Sequence, residues 1–380
     1  MKILIAGDFV PSNRVVRMLN NKEYDTILGE VKPLLSEVDY SIVNLEAPVI
    51  HGQPTPIDKA GPNLYCTENT IEAIRWARFN CVTLANNHFR DQGEQGVYDT
   101  LASCEKYGIG YVGGGKNLEE ASRILYKQIN DKTLAIVNFC ENEWSIATEK
   151  YGGSSPLNPI INFYQIQEAR KNADHVLVIV HGGIELYQYP TPRMQETYRF
   201  FIDAGADAVV NHHQHCYSGY EQYKGKPIFY GLGNFCFDRN NPSDTMWSQG
   251  YMVKLKFERS GITYEIYPFF QCTNNPIIAL MSDKDRDCFF KSISQINSTI
   301  LDEHKLRSQF DILVKKSQTS KLLEFEPISN RFIRVLQIKK LLPSFISNKT
   351  RRDIYDIINC ESHREIVLRI FNELFSNENK

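Results

Sequence analysis

Asp8, Glu46, Asn87, His88, His181, His213 and His215 all stand in the polar segments that close five aliphatic runs. The runs read Ile-Ala-Gly-Asp8, Ile-Val-Asn44-Leu-Glu46, Leu-Ala-Asn86-Asn87-His88, Val-Ile-Val-His181-Gly-Gly and Val-Val-Asn211-His212-His213-Gln214-His215. In each, β-branched or aliphatic residues stop and polar side chains begin, which predicts strands ending on functional groups. Open α/β sheets bind ligands just beyond the carboxyl ends of their strands. Five such ends therefore predict one site gathered from most of the fold. The donor set is mixed: carboxylates from Asp8 and Glu46, an amide oxygen from Asn87, and imidazoles from His181, His213 and His215. It suits Zn, Mn or Fe better than soft copper or calcium alone, and a carboxylate can bridge two ions. Read as an extended segment, alternation places His213 and His215 on the same side. His212 is ambiguous, with packing on the opposite face as one outcome. His51, His175, His304 and His363 lack such context and are read as ordinary core or surface residues.

The elements that position these groups alternate in type from residue 1 to about 275. Strands are expected at the N-terminus and at 39–44, 81–85, 110–112, 133–139, 175–180, 208–210, 227–231, 251–257 and 263–268. Helices are expected up to about 37, then near 70–78, 92–107, 118–125, 165–172 and 194–204. Asp91 stands three before Glu94, and Asn117 three before Glu120. Both pairs fit a capping box, so Asp91 has a structural reading beside a functional one. Gly113-Gly114-Gly115 fits neither common phosphate-binding spacing and is read as a tight turn. Beyond about 280 the pattern turns helical, as at 283–301 and 353–371, and site-type motifs stop. The expected division is therefore 1–275 for the site-bearing domain and 276–380 for a helical C-terminal region.

With 42% hydrophobic and 23% charged residues, the chain has globular composition, which argues against wholesale disorder. A formal net charge of −2 gives no global footprint for nucleic acid. Nine scattered cysteines without a C-x-x-C pair argue against zinc ribbons and redox motifs, and read as reduced thiols of a cytoplasmic protein. The first apolar run is too short for a signal-peptide core, and no apolar stretch is long enough to cross a membrane.

In this order the motifs resemble the CapA-type poly-γ-glutamate capsule biosynthesis family, within the calcineurin-like metallophosphoesterase superfamily. The stretches that carry the resemblance are Gly7-Asp8, Asn44-Leu45-Glu46, Asn86-Asn87-His88 with Asp91, Gly93 and Gly96, and His181-Gly-Gly-Ile-Glu185. With them go Gly205 to His215 and Tyr230-Gly-Leu-Gly-Asn234-Phe-Cys-Phe-Asp238. The resemblance covers roughly residues 1–240. It implies an α/β (α+β) fold of the metallo-dependent phosphatase type, a two-sheet sandwich flanked by helices, with metal at the strand ends. Asp8, Glu46, Asn87, His181, His213 and His215 then fall on ligand positions, Glu46 as the bridge, and His88 on the catalytic histidine. One position departs: Val10 stands where the superfamily has a further histidine ligand. One firmly bound divalent ion is therefore expected, with a second weak or recruited with substrate.

The implied activity is metal-dependent hydrolysis of a phosphoester, or of an amide in an anionic polymer or its precursor, during surface-polymer biosynthesis. A bound cation would activate water and polarise the oxygen under attack, and His88 would protonate the leaving group. Glu185, Asp91, Asn234 and Lys59 are candidates for substrate contact or for orienting the ligands. Lys59 is expected to be solvated, and Asn234 and Asp238 equally suit turns. The alternative is a non-catalytic assembly factor for capsule or poly-γ-glutamate with a structural or vestigial metal. A nucleotide-dependent ligase finds no P-loop. Residues 331–352 hold seven Lys/Arg and no acid, interleaved with apolar residues. That pattern suits a helix packed on the domain or a peripheral contact with an anionic membrane or a partner.

Overall fold

The structure, a computed structural model, describes residues 1–239, 245–258, 261–328 and 330–378. It divides into two compact units, Met1–Leu306 and Arg307–Lys380. In chain order the strands of the first unit are β1 (Lys2–Val10), β2 (Tyr40–Leu45), β3 (Cys81–Thr83), β4 (Gly110–Val112), β5 (Gly114–Gly115), β6 (Leu125–Ile129), β7 (Lys132–Cys140) and β8 (Gly153–Ser154). There follow β9 (His175–His181), β10 (Ala208–His212), β11 (Tyr220–Tyr223), β12 (Lys226–Phe229), β13 (Asn234–Phe237), β14 (Gln249–Glu258), β15 (Gly261–Gln271) and β16 (Ile278–Leu280).

They build two main sheets. The larger has eight strands in the order β16-β15-β14-β1-β2-β3-β4, with β13 also pairing β1, and the second has six in the order β11-β12-β10-β9-β7-β6. Side-chain alternation sorts the cores. On β1, Ile3 and Ile5 belong to an apolar cluster shared with Ile136, Leu177 and Val209 of the second sheet. Leu4 and Ala6 belong to a second cluster with helical residues such as Val15, Ile71, Val97 and Leu101. The period of two thus gives the larger sheet one face toward its partner sheet and one toward helices. β9, buried on both faces from Val176 to His181, reads as an unbroken aliphatic run, as expected of a central parallel strand. Each such aliphatic side chain contributes about 1.5–3 kcal/mol on burial.

Helix starts follow their local chemistry. Asn158 caps the helix Pro159–Asn172 by accepting from Ile160 N and Ile161 N, and Thr191 caps Pro192–Asp203 by accepting from Met194 N. In both, proline takes the first helical position, where no amide is needed. At Asn117 the side chain accepts from Glu120 N, while Glu120 reaches Lys116 N, one residue short of a closed capping box. The box expected at Asp91 does not form. The helix Gly93–Tyr107 starts after Gln92 without a side-chain cap, and the Asp91 carboxylate is used elsewhere.

Several strands were not readable in the sequence. β6, β11, β13 and β16 are edge or inserted strands of three to five residues, too short and too polar to show alternation. Gly113, at φ +84°, needs to be glycine for space: a Cβ there would lie 2.1 Å from Asn138 Oδ1. The first unit also runs past the boundary expected at 275. β16 extends the larger sheet, and the helix Asp283–Ile300 buries Phe289, Ile293, Ile296 and Ile300 in the shared core.

Within the second unit, described by itself, the helices Arg331–Ile338, Asn348–Asn359 and Glu361–Glu378 are separate elements. Asn330 and Ser347 cap the first two. The basic stretch is therefore one short helix, an irregular segment around Pro343, where Gln337 Nε2 donates to Pro343 O at 3.0 Å, and the start of the helix Asn348–Asn359. No helix among the described residues is long and apolar enough to cross a membrane. The nine cysteines form no disulfide among the described residues, and seven of them are buried.

Candidate metal centre

β1, β2 and β3 run parallel in one sheet, and β7, β9 and β10 run parallel in the other. Parallel strands bring their carboxyl ends to one edge. Asp8 lies at the end of β1, Glu46 just after β2, Asn87 and His88 just after β3, His181 at the end of β9, and His213 and His215 just after β10. The pairing register shifts at Asp8, between Ala6 and Asp8 toward β2 and between Asp8 and Phe9 toward β13. A bulge of this kind re-aims a side chain next to a site. Gly7 permits it: a Cβ there would lie 1.9 Å from Gly233 O.

Two triads of ligand atoms converge, each with its atoms within 4.8 Å of one another: Glu46 with His181 and His213, and Asp8 with Glu46 and His215. Glu46 belongs to both. Its Oε1 lies 3.3 Å from His181 Nε2 and 3.8 Å from His215 Nε2. Neither carboxylate oxygen of Glu46 has a hydrogen-bond partner among the described residues, although the residue is fully buried. Burial, and then the Asp8 charge, hold its pKa well above the usual carboxylate range. A buried charge without partners is costly unless a cation meets it. The histidines are complementary. Burial lowers the pKa of His181, His213 and His215, the last to about 3, so each presents a neutral ring. A neutral imidazole is the form that binds metal. Orphaned carboxylate oxygens facing neutral imidazoles fit one or two divalent ions.

Surrounding amides fix these groups. Asn44 Nδ2 donates to Asp8 Oδ1 at 2.7 Å, while Asn44 Oδ1 accepts from Thr83 Oγ1 at 3.1 Å and Asn86 Nδ2 at 3.3 Å. Asn87 Oδ1 lies 3.0 Å from His181 Nε2, and His213 Nδ1 lies 3.1 Å from the same nitrogen. His215 Nδ1 lies 2.9 Å from Asn234 Oδ1, so its other nitrogen is the one that faces Glu46. Such outer partners set the ring orientation of histidines that bind metal. Asn44 and Asn86 were legible only as motif letters; their burial gives them this role.

His88 Nδ1 lies 2.6 Å from Asp91 Oδ2, and Lys59 is ion-paired to Asp91 with its Nζ 3.3 Å from His88 Nδ1. Asp91 Oδ2 also accepts from Leu64 N at 2.6 Å, which ties the Pro-rich loop to the His88 turn.

Two expectations need correction, those for Lys59 and for His213 with His215, and three open readings, for His212, Glu185 and Asp238, are narrowed. Lys59 is not solvated, since its side chain is 3% exposed beside Asp91. His213 and His215 do not share a face through strand alternation, because β10 stops at His212 and both residues take left-handed backbone, φ +94° and +54°. Backbone strain of this kind in non-glycine residues gathers at functional sites. His212 does not pack away from the site: it is 2% exposed with Nδ1 3.6 Å from Asp8 Oδ1. Glu185 is exposed and has no hydrogen bond to a ligand histidine among the described residues; its charge acts on Glu46 and His213 from a distance. Asp238 lies off the centre, clamped by Arg14 at 2.6 Å. Val10, 1% exposed, sits in the apolar cluster on the helix side of the larger sheet and adds no ligand. A cleft of about 770 Å³ lined by Asp39, Tyr40, Arg75 and Lys127 lies at the opposite ends of the strands, away from these groups.

Fold and centre together define an α/β two-sheet sandwich with a buried carboxylate–histidine cluster at its strand ends. Residues 2–239 match the bacterial capsule synthesis protein family PGA_cap, and the chain belongs to that family. It is 34% identical over 247 residues to the capsule biosynthesis protein CapA of Bacillus anthracis, covering 63% of this chain and 60% of that one. To the PGA biosynthesis protein CapA of Bacillus subtilis it is 34% identical over 236 residues, covering 61% and 62%. A probable polyglutamine synthesis accessory protein of Mycobacterium tuberculosis is 28% identical over 183 residues, covering 45% of this chain and 48% of that one. The match thus spans about three fifths of the two CapA relatives. A crystal structure of a hypothetical protein from Thermus thermophilus superposes with a TM-score of 0.45 at 13% identity, covering 70% of this chain and 99% of that one.

Proposed function

We propose that the cluster holds divalent metal, with Glu46 shared between two positions, and that the protein is a metal-dependent hydrolase. Its substrate would be a phosphoester, or an amide of an anionic polymer or its precursor, in capsule or poly-γ-glutamate biosynthesis. The observation that carries the reading is Glu46: fully buried, both oxygens unpartnered among the described residues, and common to both triads. Asn87, His181 and His213 would complete one position, and Asp8 and His215 the other. When bound, the ion supplies Lewis acidity and an activated water.

The remaining work falls to the chain. Asp91 takes Nδ1 of His88, which leaves Nε2 as the nitrogen to give a proton to the leaving group. Lys59 balances the Asp91 charge, so the histidine is oriented by a carboxylate that is itself neutralised. The latched loop keeps that pair out of bulk water.

One observation favours the alternative, an assembly factor with a structural metal: both positions have a triad, and only the His181 side gains a fourth donor, Asn87 Oδ1 at 3.0 Å from His181 Nε2. The two readings part at His88. Purified protein is first screened with phosphoester and γ-glutamyl substrates. His88→Ala is expected to keep its metal content and lose turnover by about 10²–10⁴-fold. Hydrolysis at the parent rate would remove His88 from the mechanism, and the absence of any turnover across both substrate classes would favour the assembly factor.

A further inference from the structure

We infer that His212 is a positioning residue for the Asp8 side of the centre: its Nδ1–H engages Asp8 Oδ1 and leaves Oδ2 to the ion shared with Glu46 and His215. The inference rests on the metal-centre reading above. The strand decides where the ring goes. In β10 the side chain of Asn211 is spent on one face, on Tyr198 Oη at 2.6 Å and on the carbonyl oxygens of Gly182 and Tyr230. Its neighbour His212, in register with His181 of β9, is turned to the other, toward the larger sheet.

There the ring is 2% exposed, and neither nitrogen has a hydrogen-bond partner among the described residues. A buried polar ring without a partner is rare and marks a group awaiting one. Its polar neighbour is Asp8 Oδ1 at 3.6 Å. Closing that gap by roughly 0.5 Å brings it into hydrogen-bond range. The two Asp8 oxygens are already divided. Oδ1 accepts from Asn44 Nδ2 at 2.7 Å, whereas Oδ2 receives the His213 N–H at 3.3 Å and lies 3.7 Å from His215 Nδ1. His212 therefore approaches the oxygen that faces away from His215. It belongs to neither converging triad, which separates it from the direct ligands. Carboxylates that bind metal are themselves held by hydrogen bonds, and this side of the centre, where Val10 gives nothing, depends most on such help.

The test is Mn²⁺ binding by calorimetry and equilibrium dialysis, on the full chain, for the parent, His212→Phe and His212→Asn. The parent should show one tight and one weaker event. His212→Phe should keep the tight event and weaken the other by about 10–100-fold. His212→Asn places an amide donor near the Nδ1 position and should recover most of the loss. A His212→Phe protein that binds both ions like the parent overturns the inference, as does equal loss of both ions from a folded variant. So does an asparagine variant no better than phenylalanine. His212→Leu carries the same comparison if His212→Phe does not fold. A parent that binds a single ion overturns the inference alone, whereas a parent that binds none overturns the metal-centre reading itself.

Discussion

On one side of the Glu46 carboxylate stand His181, His213 and Asn87, with Asn87 Oδ1 and His213 Nδ1 3.0 and 3.1 Å from His181 Nε2. On the other stand Asp8 and His215, each already engaged by an amide, Asn44 at 2.7 Å and Asn234 at 2.9 Å. With Glu46, the first side draws four donors from four strand ends, β2, β3, β9 and β10, the number that a closed tetrahedral shell needs. The second has three and leans on buried amides. On the proposed metal reading, the difference predicts unequal affinity at the two positions, with neighbouring groups rather than extra ligands sustaining the weaker one.

The largest effect that would sharpen this contrast is expected at the shared group. Glu46→Ala should abolish binding at both positions, with metal content falling to background by elemental analysis. Retention of one tight ion would show that Glu46 belongs to a single position. Next come the one-sided variants. His181→Ala should empty the tight position and His215→Ala only the weak one. Each loss should exceed the roughly 10–100-fold typical of outer partners. Loss of both ions in His215→Ala would collapse the distinction.

A smaller effect is expected from pH. Burial raises Asp8 from an ordinary 3.8 to about 7. Its folded pKa lies above its unfolded one, so in the metal-free protein the Asp8 charge costs stability as pH rises from about 4 toward 7. In that window a metal ion must displace a proton from Asp8. The lowered histidines stay neutral there in the folded state and offer no such competition; their own contribution to stability fades as pH falls below about 6.5. The rise in Tm on adding Mn²⁺ should therefore be larger at pH 8 than at pH 5.5. Equal rises at both would place Asp8 outside the binding step.

Much of this arrangement was legible before any coordinates. Long central strands such as β1 and β9 announce themselves because burial on both faces demands unbroken aliphatic runs. Their carboxyl-end polar residues follow from parallel topology, so Asp8, Glu46, Asn87, His181, His213 and His215 could be placed together. What escaped depends on backbone geometry and local burial. His213 and His215 reach the site through left-handed residues, which no alternation rule anticipates. Lys59 looks like a solvated loop lysine until the loop is seen latched to Asp91, and His212 could not be assigned a face until β10 had an end. The edge strands were missed because three to five residues carry too little pattern against a polar background.

The unequal centre is tested most directly by the metal content of the parent protein. Elemental analysis is made after loading with Mn²⁺ or Zn²⁺ and again after extensive dialysis. The expected result is close to two ions per chain when loaded and close to one after dialysis, with the retained ion lost only in variants of Glu46, Asn87, His181 or His213. Two ions held equally through dialysis would contradict the inequality, and a protein that never exceeds background would contradict the metal centre altogether.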